Sequence, residues 1–251
     1  MGKITDIKLY NEQMSHSMKD KLFFLDHIDP KSIDMLVDFG CANGELLRQL
    51  PYNCLKIGID NSKEMREEAE KNYPDATYFN SLSDVNFLNK KNAMINLSSV
   101  IHEIYSYLPK NKVDEFWDEL FTSGFKYISI RDMMVSKIAN RTIQLDDLRK
   151  IVNAGYGRMF DEFHNHNLDW RVRDILHFFL KYRYEENWER ELGEDYFPIT
   201  SEELLEKLPD NYKIIYYREY SLDWIKERVK QDFDYDIEDN THIQLLLERI
   251  D

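Results

Sequence analysis

The stretch Val37-Asp38-Phe39-Gly40-Cys41-Ala42-Asn43-Gly44-Glu45 constrains this chain more than any other, because it ends an apolar run in two glycines and opens onto Leu46, Leu47 and Leu50 at helical spacing. That order reads as strand, tight turn, helix. Glycine is used where the backbone needs positive φ or where a ligand lies against the main chain, so Gly40 and Gly44 mark a binding turn for either a dinucleotide or a nucleoside. A dinucleotide fingerprint aims helix amides at a pyrophosphate and wants a further glycine where Glu45 stands. Asp38 and Glu45 flanking the turn would repel a pyrophosphate, whereas carboxylates suit a ligand that carries an ammonium and a sulfonium.

The rest of the chain supplies a frame for that turn. Short apolar strands are expected at Met35–Phe39, Leu55–Ile59, Thr77–Phe79, Ala93–Leu97 and Lys126–Ile130, each followed by a stretch of helical spacing or length. All six prolines fall between these periodic segments. Such alternation predicts an α/β fold with a mostly parallel sheet and helices on both faces. Tyr10, Met14, Met18, Leu22 and Leu25 recur at threes and fours, which predicts a leading amphipathic helix over 6–26 covering the ligand side of the sheet. From Met133 to about Asp210 no strand pattern recurs, so residues 133–210 read as a helical insertion over the crevice. Two last strands, Tyr212–Arg218 and Ile243–Arg249, complete the sheet. The chain divides as one domain: a cap over 1–30, a cofactor core over 31–132, the insertion, and a closing segment over 211–251.

Twenty residues past Gly40 the second strand ends in Ile57-Gly58-Ile59-Asp60-Asn61. An acid there accepts hydrogen bonds from ribose hydroxyls in nucleotide-binding α/β folds, so Asp60 is the foremost candidate for ribose recognition. Met65, about a turn later, packs either on an adenine face or in the core. After the third strand, Phe79-Asn80-Ser81-Leu82 offers a polar side chain or an amide to an adenine edge, with Ser81 and Asp84 both candidates and a plain turn the alternative.

Together, D-F-G-C-A-N-G and the downstream G-I-D resemble motif I and the acidic motif II of class I S-adenosylmethionine-dependent methyltransferases, and the strand spacing over 34–132 is similar throughout. Ala42 replaces the usual middle glycine. The resemblance implies a doubly wound, mostly parallel Rossmann-like methyltransferase sheet with a helical insertion after the fifth strand, and S-adenosyl-L-methionine as cofactor. It also implies that Asp38, Gly40, Cys41, Ala42 and Gly44 surround the methionine half of the cofactor, with Asp60, Asn61, Met65, Ser81, Leu82 and Ser98 completing the site.

The fourth strand runs into Ser98-Ser99-Val100-Ile101-His102-Glu103, on the strand edge where open α/β sheets bind ligands. Similar family members that act on small molecules often carry a histidine after this strand. Methyl transfer from a sulfonium requires positioning, and a base only if the nucleophile arrives protonated. His102 is suited to take that proton, with Glu103 orienting it or binding a substrate amine. The structural alternative is that Ser98 or Ser99 caps the following helix while Glu103 favours its positive end. Arg131 and Asp132, at the end of the fifth strand, either contact substrate or form an exposed ion pair. No Asn/Asp-Pro-Pro-Tyr sequence follows the fourth strand, unlike the amino-methylating enzymes of DNA and glutamine.

A formal net charge of −14, from 47 Asp and Glu against 33 Lys and Arg, disfavours a broad nucleic-acid surface. A local RNA contact is the second reading, carried by Arg171, Arg173, His177, Lys181 and Arg183, which otherwise form a solvated helix flank. His164-Asn165-His166 beside Asp161 and Glu162 is too sparse a set to specify a metal. Two cysteines, Cys41 and Cys54, make no disulfide framework, and no apolar run is long enough for a membrane span, so a reduced, cytoplasmic protein acting on a small molecule is expected. A non-catalytic binding protein that keeps the cofactor fold is the third reading.

Overall fold

Seven strands form one sheet in the computed structural model, which describes residues 18–51, 53–85, 88–166 and 170–250. In chain order they are β1 (Met35–Phe39), β2 (Leu55–Ile59), β3 (Thr77–Phe79), β4 (Ala93–Ser98), β5 (Tyr127–Met133), β6 (Tyr212–Tyr220) and β7 (His242–Arg249). Their spatial order is β3-β2-β1-β4-β5-β7-β6, with β7 antiparallel to both neighbours and the β1–β5 pairs parallel. Alternate residues of one strand enter different cores: Val37 and Ile95 pack on one face, Leu36 and Met94 on the other. Covering both faces is what makes a strand read as a continuous apolar run. The direction of winding reverses between β1 and β4, which opens a crevice at their carboxyl ends.

Strand bounds depart from the sequence expectation by a residue at the end of β4 and the starts of β5 and β7, and by more at two places. β5 continues past Ile130 to Met133, because β7 supplies the partners Gln244, Ile243 and His242 for Arg131, Asp132 and Met133. β6 likewise runs on to Tyr220 against His242. A helix over Asp223–Phe233 lies between β6 and β7, its Ile225, Val229 and Phe233 spaced four apart and buried. The sequence expectation held no helix between these two strands, although the spacing of four is visible there.

Between β5 and β6 the described residues form helices at Leu145–Asn153, Gly157–His166, Val172–Lys181, Trp188–Gly193 and Ser201–Glu206, with isolated bridges rather than strands. The first four share a core with the Asp223–Phe233 helix, centred on Phe163, Ile175, Phe178 and Phe233, whereas Leu204 of the last packs in the core of the sheet. The cations of the Val172–Lys181 region are neither a solvated flank nor an anion-binding face. Lys181 is fully buried and donates to the carbonyls of Glu191 and Glu194, Arg171 donates to the Asn140 carbonyl, and Arg173 donates to the Phe197 carbonyl. His177 Nε2 accepts the Tyr196 amide at 3.0 Å, so of the five only Arg183 is exposed. Unsatisfied carbonyls at helix ends attract such side chains, and composition alone does not reveal it.

Of the expected leading helix, Tyr10 and Met14 lie outside the described residues. The remainder is a short turn, Met18–Lys21, followed by a 3₁₀ turn at Phe23–Asp26. Asp20 fastens this segment to the ligand edge of the sheet. Its carboxylate pairs with Arg131 at 2.6 Å and accepts from the Tyr220 hydroxyl at 2.6 Å and the Gln244 amide at 2.9 Å. No helix among the described residues is long and apolar enough to cross a membrane.

Candidate active site

The β1 turn is built around the end of β2. The Gly40 and Cys41 amides both donate to the Ile59 carbonyl, at 2.8 and 3.0 Å. Gly40 has φ 77°, and a Cβ there would sit 2.9 Å from Val100 Cγ2, so both conformation and space exclude a side chain. The Ala42 amide donates to Asp60 Oδ2 at 3.0 Å and the Ser62 amide to Oδ1 at 2.8 Å. Asp60 is buried yet keeps acceptor capacity on both oxygens for a ligand hydroxyl. Ala42 itself sits at φ 43°. A left-handed alanine costs about 1–2 kcal/mol, partly offset by the greater chain entropy of glycine. Ala42→Gly is therefore expected to leave the urea midpoint unchanged or raise it, and a marked fall would contradict strain at this residue.

Glu45 is turned to its own helix, where Arg48 and Gln49 each donate to it at 2.6 Å. The hydrogen bond from Arg48 holds its carboxyl below the usual range. The charge argument against a pyrophosphate therefore passes to Asp60.

A cavity of about 330 Å³ opens over the ends of β1, β2 and β3, closed on its far side by the helices Ile101–Tyr107 and Lys110–Thr122. Of the residues marked from sequence, Gly40, Asp60, Asn61, Ser81, Leu82 and Glu103 line it. Phe39, Ile59, Val100 and Phe116 give it apolar walls, with Asp60 as a buried acid at one end. Glu103, Lys112, Glu115 and Glu119 also line it; the apolar walls and the buried Asp60 fit a nucleoside, and the volume lies in the usual range for small-molecule sites. Asp84 is engaged locally, accepting the Ser81 amide at 3.0 Å.

Asp38, Cys41, Ala42, Gly44, Met65 and Ser98 do not line this cavity. Cys41 Sγ packs on Gly58, and Gly44 lies against the Tyr78 hydroxyl and Ala69, so these two serve helix–strand packing here. The Met65 amide is capped by Ser62 Oγ at 3.3 Å. Ser98 Oγ is buried without a hydrogen-bond partner.

Asp38 is buried beneath the turn and accepts from Asn96 Nδ2 at 2.9 Å. Burial lifts its carboxyl from 3.8 to about 7, against the opposing pull of the Asn96 hydrogen bond and the Lys21 charge. An acid whose folded pKa is raised binds more protons folded than unfolded, so its contribution to stability is full below about 4 and is lost as pH rises through about 7. Asp38→Asn is expected to flatten the fall in urea midpoint between those two pH values, and a slope identical to that of the parent protein would contradict the assignment.

A second cavity, of about 140 Å³, lies over β4, β5 and β7, between the sheet edge and the helical segment that follows β5. Glu103 lines both cavities. His102 lines the second one, and its Nδ1 meets Asp132 Oδ1 at 2.7 Å. Asp132 is fully buried and also accepts the amides of Val100 (2.9 Å), Ile101 (2.6 Å) and Met133 (2.8 Å). The helix that carries His102 is thus capped by a carboxylate from β5, not by Ser98 or Ser99. Nor do Arg131 and Asp132 form an exposed pair: Arg131 is buried, bound to Asp20 and donating to Ser99 Oγ at 2.9 Å.

Burial opposes protonation of His102, and the Asp132 charge and hydrogen bond overcome it, so the imidazole titrates above its ordinary value. Burial raises the Glu103 carboxyl, although Arg190 lies 3.2 Å away. Lys21 falls to about 8 through burial and the nearby Arg131 charge.

Sequence reading missed Lys21, Arg190, Glu191, Glu194, Tyr196 and Trp224 in the second cavity. They come from three separate stretches, Lys21, Arg190–Tyr196 and Trp224, and no local pattern joins the three. His164 is buried against Trp170, the His166 side chain lies outside the described residues, and no trio of His, Cys, Asp or Glu side chains converges among the described residues.

No family model and no curated relative matches the chain. Solved structures do. A SAM-dependent methyltransferase from Methanosarcina mazei aligns with TM-score 0.55 at 13% identity, over 91% of this chain and 97% of that one. One from Anabaena variabilis gives 0.52 at 14%, over 99% and 96%, and the plantazolicin methyltransferase BamL, crystallised with a desmethylplantazolicin analogue and SAH, gives 0.52 at 12%, over 96% and 88%. Identities this low speak to architecture alone. The chain has the class I SAM-dependent methyltransferase fold.

Proposed function

We propose that the protein is an S-adenosylmethionine-dependent methyltransferase acting on a small-molecule acceptor. The observation that carries this reading is the pair of cavities meeting at Glu103 over the winding reversal, one walled for a nucleoside and the other closed by the helices after β5. In this reading Asp60 holds the ribose diol, Leu82 and the Ser81 segment flank the adenine, and Gly40 lets the cofactor lie against the main chain. The methionine half runs toward Glu103, where the two cavities meet and a carboxylate can face its ammonium. Residues 133–210 then supply acceptor selectivity, as segments grafted on a sheet commonly do.

Methyl transfer by in-line displacement needs nucleophile and methyl carbon held roughly 3 Å apart with water excluded, a closure that bound cofactor and acceptor would complete in the second cavity. An RNA acceptor is not favoured, since the cations expected to meet it are committed to buried carbonyls. Incubation with methyl-labelled cofactor and fractionated cell extract tests the reading. Label is expected in the small-metabolite fraction; label confined to RNA or protein would overturn the acceptor class, and none in any fraction would overturn the activity.

A further inference from the structure

The charges lining the second cavity cancel. Lys21, Arg131 and Arg190 stand against Glu103, Glu191 and Glu194. Arg131 is held by Asp20, and Arg190 by Glu194 at 2.8 Å and Glu103 at 3.2 Å. Glu194 also accepts from the Tyr107 hydroxyl at 2.7 Å, and Glu191 from the Tyr196 hydroxyl at 2.6 Å. Lys21 sits in the field of Asp38, Asp132 and Asp20. A charged acceptor entering such a site would bring a charge with nothing left to answer it, at a high desolvation cost. The remaining wall combines the apolar Met133, Leu180, Leu222, Trp224 and Ile225 with uncharged polar groups, Ser99, Tyr184 and Asn187. Its volume of about 140 Å³ is close to that of the roughly 150 Å³ apolar cavity known to hold one benzene ring.

Of the titratable groups on this wall, His102 is the imidazole fixed by a buried carboxylate, its Nδ1 lying 2.7 Å from Asp132 Oδ1. With Nδ1 committed to the Asp132 carboxylate, Nδ1 carries the hydrogen and Nε2 is left with its lone pair, on a ring that lines the cavity. A neutral amine brings a free lone pair to a methyl group and needs no such base. A hydroxyl does need one.

We propose that the acceptor is an uncharged, single-ring compound bearing an acidic hydroxyl of the phenol type, seated in this cavity with its oxygen at His102 Nε2; this rests on reading the chain as a methyltransferase. The hydroxyl proton passes to Nε2 as the oxygen lone pair forms a bond to the methyl carbon. The carbon–sulfur bond breaks with its electrons going to sulfur, which turns the sulfonium into a neutral thioether. The imidazolium is held by Asp132 until its proton is lost to water. Glu103, Glu194, Asp132, Tyr196, His177 and His242 are the titratable groups that face His102.

The test uses the full chain with methyl-labelled cofactor and three single-ring acceptors of matched size: catechol, benzoate and benzylamine. Adenosylhomocysteine binding is measured in parallel by calorimetry. Label is expected on a catechol oxygen, with the rising limb of kcat/KM against pH lying above the ordinary imidazole value. His102→Gln should lower kcat about 10²–10⁴-fold with adenosylhomocysteine affinity unchanged. Leu180→Trp, which fills the cavity, should raise KM for catechol while sparing that same affinity. Label on benzoate or benzylamine in preference to catechol, or no transfer to any of the three by protein that binds adenosylhomocysteine, overturns the proposal and leaves the cofactor reading standing. Failure to bind adenosylhomocysteine removes both.

Discussion

Asp132→Asn is expected to lower both stability and turnover, more than any other single isosteric change in the molecule. The carboxylate accepts four hydrogen bonds with two oxygens, from the Val100, Ile101 and Met133 amides and from His102 Nδ1. An amide has one oxygen, so whichever way it turns, its NH2 group faces backbone N–H. Leaving a buried donor without an acceptor costs about 1–3 kcal/mol, and the loss of charge from the remaining bonds brings the total to about 2–4 kcal/mol. In a chain of this size that is a fall in Tm of roughly 5–15 °C, read by calorimetry. If the NH2 group turns to His102 it donates to Nδ1 and moves the ring proton to Nε2, which makes the base a donor toward the cavity. Turnover should then fall by about 10³–10⁴-fold. A variant that keeps its Tm and its activity would show that Asp132 neither caps the helix nor sets the tautomer.

The second large effect is on the cofactor. Asp60→Ala should weaken adenosylhomocysteine by on the order of 10- to 100-fold, as two hydrogen bonds to a ribose diol are lost. The same carboxylate holds the Ala42 and Ser62 amides, so some loss of stability accompanies the change. Those amides lie at the rim of a cavity, where water can take them over, and the cost in Tm should therefore be smaller than for Asp132→Asn. Tm and affinity measured on one preparation separate the two roles. Affinity unchanged with a lowered Tm would make Asp60 a turn-fastening residue only.

How much of this was legible in the sequence differs sharply between the two cavities. The nucleoside side is written locally: the apolar runs of β1 and β2, Gly40 and Asp60 all lie within one strand–turn–helix–strand unit, and side-chain period and turn chemistry specify them. The Ser81-Leu82 segment follows from the same alternation. The acceptor side is written across the chain. Asp132 caps a helix that begins some 31 residues earlier, Asp20 reaches Arg131 across 111 residues, and Glu103 meets Arg190 across 87. No spacing rule joins such pairs.

The basic run before Arg183 shows the same limit from the other direction. Its lysine and arginines look like a surface until the carbonyls of Asn140, Glu191, Glu194 and Phe197 arrive to receive them. Arg131 and Asp132 read as a strand end because the antiparallel strand that extends β5 lies more than a hundred residues further on. Turn chemistry thus marks the candidate cofactor side, and tertiary pairing decides the rest.

The central claim, that the cavity over β1–β3 takes the adenosyl half of the methyl donor, is tested most directly by calorimetric titration of the full chain with adenosylhomocysteine. One-to-one saturation is expected, weakened by on the order of 10- to 100-fold in Asp60→Ala. Absence of binding to folded protein, or equal affinity in the two proteins, would contradict it.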